Sequence, residues 1–425
     1  MVSPPNPLIP HLHQALTSLS SSPFPSIASP DAVKKRASVA LVIRITPSYS
    51  HWPPSSSDAP SDLPSFFSQP WVQQGNPEVL FIKRAARKGD RWTSHIALPG
   101  GKRDSEDADD LAAAIRETRE EVGLDVSPDN EWVLQAGNLP QRLITTSWGK
   151  KPLMVLCPYI FVITGQSGRL RMQPTEVASC HWVPLAALLD GRNRTVVKED
   201  VGNRFANQET GVKKWILGMT IGKMEFSAVR LWPGESVKCA ESPAVEAEDG
   251  TSWVRRFRNV LPGAVKHESE PPLLLWGLTL GVMADFLDLL PPHNSLSLWS
   301  YPTFTPWDVR FAIWAMSWRF KGRKTAEVQQ IQQSRVPTIE VGLDAVVPPS
   351  DDKLREGGIH GLSTGLDSST ERTQLKSSAV STMLEGYYDI VRRAVAVALL
   401  GRTSVLVAVL AWILIRHRRR KLLSG

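Results

Sequence analysis

The stretch from Leu98 to Leu124, LPGGKRDSEDADDLAAAIRETREEVGL, constrains this 425-residue chain more than any other. Gly100 and Gly101 let the backbone turn tightly and approach a ligand closely. The spacing then predicts a helix from about Ala108 to Val122. At about 100° per residue, Leu111, Ile115, Thr118 and Val122 share one face, a stripe to be buried. Glu117, Glu120 and Glu121 fall on the opposite side and approach one another at i, i+3 and i, i+4. Such like-charge pairs weaken a helix by roughly 0.2–0.5 kcal/mol each. Beside a divalent cation the repulsion becomes attraction, because hard cations such as Mg2+ and Mn2+ prefer oxygen-rich carboxylate clusters. Gly123 is placed to end the helix as its C′ residue. The bland reading is a solvated acidic face; the glycine turn, the interval and the apolar flank argue against it.

The surrounding chain supplies strands. Apolar, β-branched or alternating runs predict them at Ala37–Ile45, Val79–Ile82, Trp132–Ala136, Met154–Ile163, Cys180–Val183 and Met224–Leu231. Leu273–Leu290 reads as an apolar helix stopped by Pro291-Pro292. Strands, a helix, more strands and a closing helix fit a mixed sheet between helices, an α/β (α+β) sandwich. The 33 prolines and Ser-rich stretches assign much of the rest to linker. Residues 1–33, which lack a secretory signal, read as disordered. Residues 34–292 form one folded domain with insertions at 46–77 and 234–269. Residues 293–321 are a Trp-rich helical extension, in which Thr305 caps, Pro306 opens, and Trp307, Phe311, Trp314 and Trp318 recur at helical spacing. That helix either packs on the domain or lies at a membrane or over the active site. Residues 322–385 read as a flexible linker.

The glycine turn and helix resemble the Nudix box of the Nudix hydrolases. Gly101 and Arg116-Glu117-Thr118-Arg119-Glu120-Glu121-Val122-Gly123-Leu124 carry the likeness. Asp107 stands where the family has a Glu, its interval to Arg116 is one residue longer, and Thr118 is less apolar than usual. The longer interval and the words PGGKRD and DADD are similar to the coenzyme A diphosphatase branch. So are the segment from Leu275 to Thr279, Thr175-Glu176-Val177, and Trp182-Val183-Pro184-Leu185. The likeness spans residues 36–292. The branch's His-x-Gly segment before the glycine loop is replaced here by Trp92-Thr93-Ser94-His95-Ile96-Ala97.

The resemblance implies a Nudix α/β/α sandwich and hydrolysis of a diphosphate bond with Mg2+ or Mn2+. The implied substrate is coenzyme A or acyl-coenzyme A, with NADH, ADP-ribose or a dinucleotide polyphosphate as alternatives. Glu120 and Glu121 are the expected metal ligands. Glu117 joins them or holds the attacking water, and Gly101 offers its carbonyl. Arg116 orients the glutamates, Lys102 and Arg103 meet the diphosphate or are merely solvated, and Glu176 is a general base, an extra ligand or a surface carboxylate. A catalytically silent binding module is the competing reading, and the intact Glu117, Glu120 and Glu121 count against it. Cys157, Cys180 and Cys239 form no CxxC pair and take no nucleophilic role; His95 reads as a packed histidine.

Residues 394–415 are almost wholly apolar and long enough to span a bilayer. Arg402 interrupts them, at a cost of about 2.5–3.5 kcal/mol at a helix centre. The segment reads as a tail anchor with the enzyme in the cytosol, at the mitochondrial outer membrane or the peroxisome. A buried helix or an oligomer contact is the alternative. The basic tail 416–425 accounts for most of the net charge of +7. With no basic stripe elsewhere, nucleic acid is not an expected partner.

Overall fold

The computed structural model describes residues 4–30, 33, 35–49, 52, 59–86, 93–145, 152–166, 168–199, 222–239, 272–293, 300–335 and 386–423. At its centre runs β1 (Arg36–Thr46), apolar on both sides. It pairs parallel to β7 (Pro152–Ile163), with Leu41 opposite Ile160. It pairs antiparallel to β2 (Asn76–Arg84), with Ile43 opposite Val79. Short strands β3 (Ile96–Ala97) and β4 (Gly100–Lys102) attach to β2 and β1. β5 (Val133–Asn138) and β6 (Arg142–Thr145) pair with β7. β8 (Val177–Pro184) continues the sheet beyond β2. The result is a mixed sheet, and alternation along β1 assigns its two faces. Ala40 and Val42 pack with Leu80, Ile82 and Trp182 under one helical layer; Leu41, Ile43 and Ile45 pack under the other.

The first layer is α4 (Asp110–Val122), which lies on β1 and β4. The second contains α1 (Leu8–Ser21), α2 (Leu63–Phe67), α3 (Pro70–Gln73) and α6 (Gly277–Leu287), with α5 (Leu185–Leu189) after β8. A smaller sheet of β9 (Arg194–Glu199), β10 (Met224–Arg230), β12 (Leu274–Trp276) and β13 (Thr303–Phe304) adjoins α7 (Trp307–Arg335) and α8 (Tyr387–Leu423).

Several expectations need correction. The expected disordered lead-in, 1–33, is ordered at its described residues: α1 buries Ile9, Leu12, Leu16 and Leu19. Those positions keep helical spacing inside a Ser- and Pro-rich segment, and burying each such side chain favours the fold by about 1.5–3 kcal/mol. Beyond α1, Asn138 brackets Phe24 through both its amide groups, and Gln141 accepts from the Ile27 N–H. Residues 46–77 are not only a surface insertion. Asp62 caps α2, and Phe66 and Phe67 are buried in the core. In the expected insertion at 234–269, Glu235–Lys238 forms β11 beside β8, and Glu235 reaches the buried Arg44. The rest of that segment, 240–269, lies outside the described residues. The expected helix 273–290 begins as β12, because Leu274–Trp276 complete the small sheet against β10 before the chain enters α6. The expected linker 322–385 is helical to Arg335 as the tail of α7; 336–385 lie outside the described residues.

Two buried ion pairs brace the core, one between sheet and helix and one between neighbouring strands. Arg142 on β6 meets Asp285 on α6, and Arg44 lies between Glu78 and the ring of Trp182. Removing one partner of such a pair leaves an uncompensated charge, at a cost of roughly 3–5 kcal/mol.

Candidate active site

The glycine turn passes directly over α4. Gly100 has φ +146°, and a Cβ there would stand 2.2 Å from the Ser38 carbonyl oxygen on β1. A Cβ on Gly101 would stand 2.4 Å from the Glu117 carboxylate. The first glycine lets the turn lie against the sheet; the second leaves room for a carboxylate beneath the backbone.

Local rules set the helix. Asp109 caps it by accepting from the Ala112 N–H at 2.7 Å. Gly123, at φ +70°, ends it in the left-handed region. The C-terminal carbonyls of a helix lack intrahelical donors. Here the incoming segment supplies them: Arg171 N–H donates to Val122 O at 2.8 Å, and Gln173 N–H to Glu121 O at 3.0 Å. Three residues later that segment presents Glu176, whose own carbonyl accepts from Ala85 N–H at the end of β2. The helix terminus therefore places a carboxylate that is 55 residues away in sequence.

Carboxylate oxygens of Glu117, Glu121 and Glu176 all lie within 4.8 Å of one another. Glu121 is buried and accepts a hydrogen bond from Gly100 N–H at 2.9 Å. Burial pushes its carboxyl up to about 8, against the Gly100 hydrogen bond and the charge of Arg84; Glu117 and Glu176 add repulsion. Burial also raises Glu117, opposed by Arg116 and assisted by Glu120 and Glu176. Three acids this close, two with protons held too tightly, form a donor set that a divalent cation would relieve. The carboxylate chemistry fits Mg2+ or Mn2+.

Glu120, expected to be a principal ligand, stands outside this cluster. The helix turns it about 100° from Glu121, and it is half exposed and held by Arg116 at 3.0 Å. Glu121, expected on the outward side with it, is instead buried. Leu111 and Ile115 of the expected stripe are only partly buried, while Ala113, Ala114, Thr118 and Val122 face the core. Thr118 satisfies its hydroxyl on the Ala114 carbonyl.

Arg116 ties the turn to the helix. It donates twice to Asp107 at 2.9 Å, once to the Lys102 carbonyl at 3.0 Å, and contacts Glu117 and Glu120. The hydrogen bonds from Arg116 hold Asp107 below the usual carboxylate range. Arg103 donates to the Ala108 carbonyl at 2.8 Å and pairs with Asp110 at 3.4 Å. Lys102 is exposed. The His95 ring packs at a tilt against Trp276, with centroids 4.7 Å apart.

Two contributors were not singled out from sequence. Arg84, at the end of β2, acts electrostatically on Glu121. Arg36 anchors the first turn of α4 through Asp110 at 2.9 Å and also holds the Ile27 carbonyl and Gln141. Burial opposes the charge on Asp110, but Arg36 prevails and holds it below the usual carboxylate range. Neither arginine lies in the glycine-helix segment, so no local spacing marks them. Burial raises Cys157 and Cys180 to about 12, which leaves both thiols unreactive.

Comparison with known proteins places these residues in context. Residues 71–200 match the family model described as the NUDIX domain. An uncharacterized protein of Schizosaccharomyces pombe is 31% identical over 290 residues, covering 67% of this chain and 75% of that protein. The mitochondrial coenzyme A diphosphatase NUDT8 of Homo sapiens is 33% identical over 124 residues, 28% of this chain and 48% of that protein. This chain thus spans about half the length of that relative. A crystal structure of a MutT/nudix family protein from Enterococcus faecalis is 18% identical, covering 40% of this chain and 50% of its own, with a TM-score of 0.23.

Proposed function

This chain belongs to the Nudix hydrolases, and on that premise we propose that it cleaves the diphosphate bond of coenzyme A or acyl-coenzyme A, using Mg2+ or Mn2+ held by Glu117, Glu121 and Glu176. The observation that carries the metal site is the meeting of those three carboxylates under the glycine turn. The choice of substrate is supported by the PGGKRD and DADD words and by the partial likeness to a mitochondrial coenzyme A diphosphatase.

The roles follow from environment. Glu121 is the most buried carboxylate and gives up its proton when a cation arrives. Glu176 completes the ligand set from the opposite wall, and the Gly101 carbonyl adds an oxygen at the turn. When bound, the cation neutralises charge that develops on the diphosphate. Glu117 gives one carboxylate oxygen to the cation and takes the proton of the attacking water at the other. Water oxygen forms a bond to one phosphorus while the bridging P–O bond breaks. Arg116 keeps Glu117 and the turn in register, and exposed Lys102 meets an outer phosphate oxygen. Glu120 orients Arg116 from outside the cluster.

The departure at Trp92–Ala97 favours a second reading on the same machinery, with NADH, ADP-ribose or a dinucleotide polyphosphate as substrate. The full chain in detergent, given this panel with Mn2+ and followed by chromatography, separates the two. Release of 3′,5′-ADP and phosphopantetheine supports the first, and cleavage of another member supports the second. No turnover by folded, metal-loaded protein supports a silent binding module.

We also read α8 as a membrane anchor with the catalytic domain in the cytosol, at the mitochondrial outer membrane or the peroxisome. Tyr387–His417 is long and apolar enough to cross a bilayer, and most of it is exposed. Its first turns differ from a free tether: Tyr387, Val391 and Ala394 are buried in the core shared with the small sheet.

A further inference from the structure

Helices α7 and α8 run antiparallel. Asp308 in the first turn of α7 pairs with Arg402 at 2.5 and 2.6 Å, while Phe320 farther along α7 approaches the Tyr387 ring at the start of α8. Helix α7 packs inward through Val309 and Ile313. Trp307, Phe311, Trp314 and Trp318 occupy the opposite face and are exposed, Trp307 at 81%. A water-facing helix does not gain by exposing four large aromatic rings in one stripe.

The length of α8 identifies what covers that stripe. Thirteen residues lie between Arg402 and Arg416, about 20 Å of helix at ~1.5 Å per residue. The hydrocarbon core of a bilayer is about 30 Å thick. A span must therefore reach back past Arg402 toward Ala394, through the exposed Val397 and Leu400. An ionised side chain at that depth needs a partner, and Arg402 has Asp308. Asp308 belongs to α7, so the first turns of α7 share the depth of Arg402. The aromatic stripe then lies where Trp rings concentrate, at the boundary of lipid and water.

Resting on the reading of α8 as an anchor, we infer that the Trp307–Trp318 face of α7 is embedded in the lipid interface. The Asp308–Arg402 pair enters the membrane edge with it. The catalytic domain is thereby held on the bilayer by two packed helices at a set orientation, not swung from a single tether.

The test places an environment-sensitive nitrobenzoxadiazole probe on the full chain in phosphatidylcholine vesicles. Cys239 is replaced by Ser, and the buried Cys157 and Cys180 stay. Probes go on Phe311→Cys, on Trp314→Cys as a second site on the same face, on Leu410→Cys deep in α8, and on Arg192→Cys, whose parent side chain is 91% exposed. The expected result is blue-shifted emission, quenched by doxyl-labelled lipid, at 311, 314 and 410, with iodide quenching only at 192. Water-like emission at 311 and 314 with 410 still in lipid would overturn the proposal and leave the anchor standing. Water-like emission at 410 as well would overturn the anchor reading and the proposal with it.

Discussion

The carboxylate of Glu117 fills the space where Gly101 would carry a side chain, with only 2.4 Å between Oε1 and an ideal Cβ. The two residues are 16 positions apart, and the turn and the helix are fitted to each other at that point. Replacing Gly101 with Ala displaces the end of a side chain, not backbone. The fold should survive while Glu117 shifts by about 1 Å, a misplacement that costs on the order of 10²-fold in rate. Gly100→Ala differs: its Cβ meets β1 backbone in a strained conformation. Kinetics with thermal melts should show lost activity and a near-normal melt for the first, and a lowered melt for the second.

The raised carboxyl of Glu121 makes metal-free stability depend on pH. A group that binds its proton more tightly folded than unfolded favours the fold fully below its unfolded value of 4.5, and that advantage is lost as pH rises toward about 8. Calorimetry of the chelated protein should show the melting temperature falling across that window. Mn2+ should counter the fall, because it competes with the proton. Glu121→Gln should flatten the metal-free profile; an unchanged slope in that variant would assign the effect elsewhere.

Arg116 acts through a planar fork that no lysine reproduces. Arg116→Lys should weaken Mn2+ binding by about 10–100-fold, the usual cost of disturbing groups that orient ligands. Titration calorimetry reads this directly, and unaltered affinity would confine Arg116 to a structural role.

Leu16 is fully buried on α1. Leu16→Ala should destabilise the protein by about 2–5 kcal/mol. A denaturation midpoint equal to wild type would mean that α1 does not belong to the folded unit.

Legibility in the sequence followed the range of the interactions. Strands β1, β2, β5, β7 and β8 and the helix after the glycine turn were readable because apolar period and glycine chemistry are local; the short β3, β4 and β6 carry too few residues to show a period. α1 was obscured because Ser and Pro content outweighed the spacing of Ile9, Leu12, Leu16 and Leu19. Glu176 was nameable only through resemblance; nothing local indicates that the end of α4 recruits its segment. The choice between Glu120 and Glu121 depends on how α4 is rotated on β1, which packing decides. The Arg402 interruption looked costly until α7 supplied Asp308, 94 positions earlier.

The most direct test of the central claim is Mn2+-dependent diphosphate hydrolysis by the full chain, compared across Glu117→Gln, Glu121→Gln, Glu176→Gln and Glu120→Gln with melts recorded for each. The account predicts turnover falling by about 10²-fold or more in the first three, consistent with loss of a ligand or proton acceptor, and a far smaller loss for Glu120→Gln. Folded protein in which Glu120→Gln is as damaging as Glu121→Gln, while Glu176→Gln is silent, would contradict it.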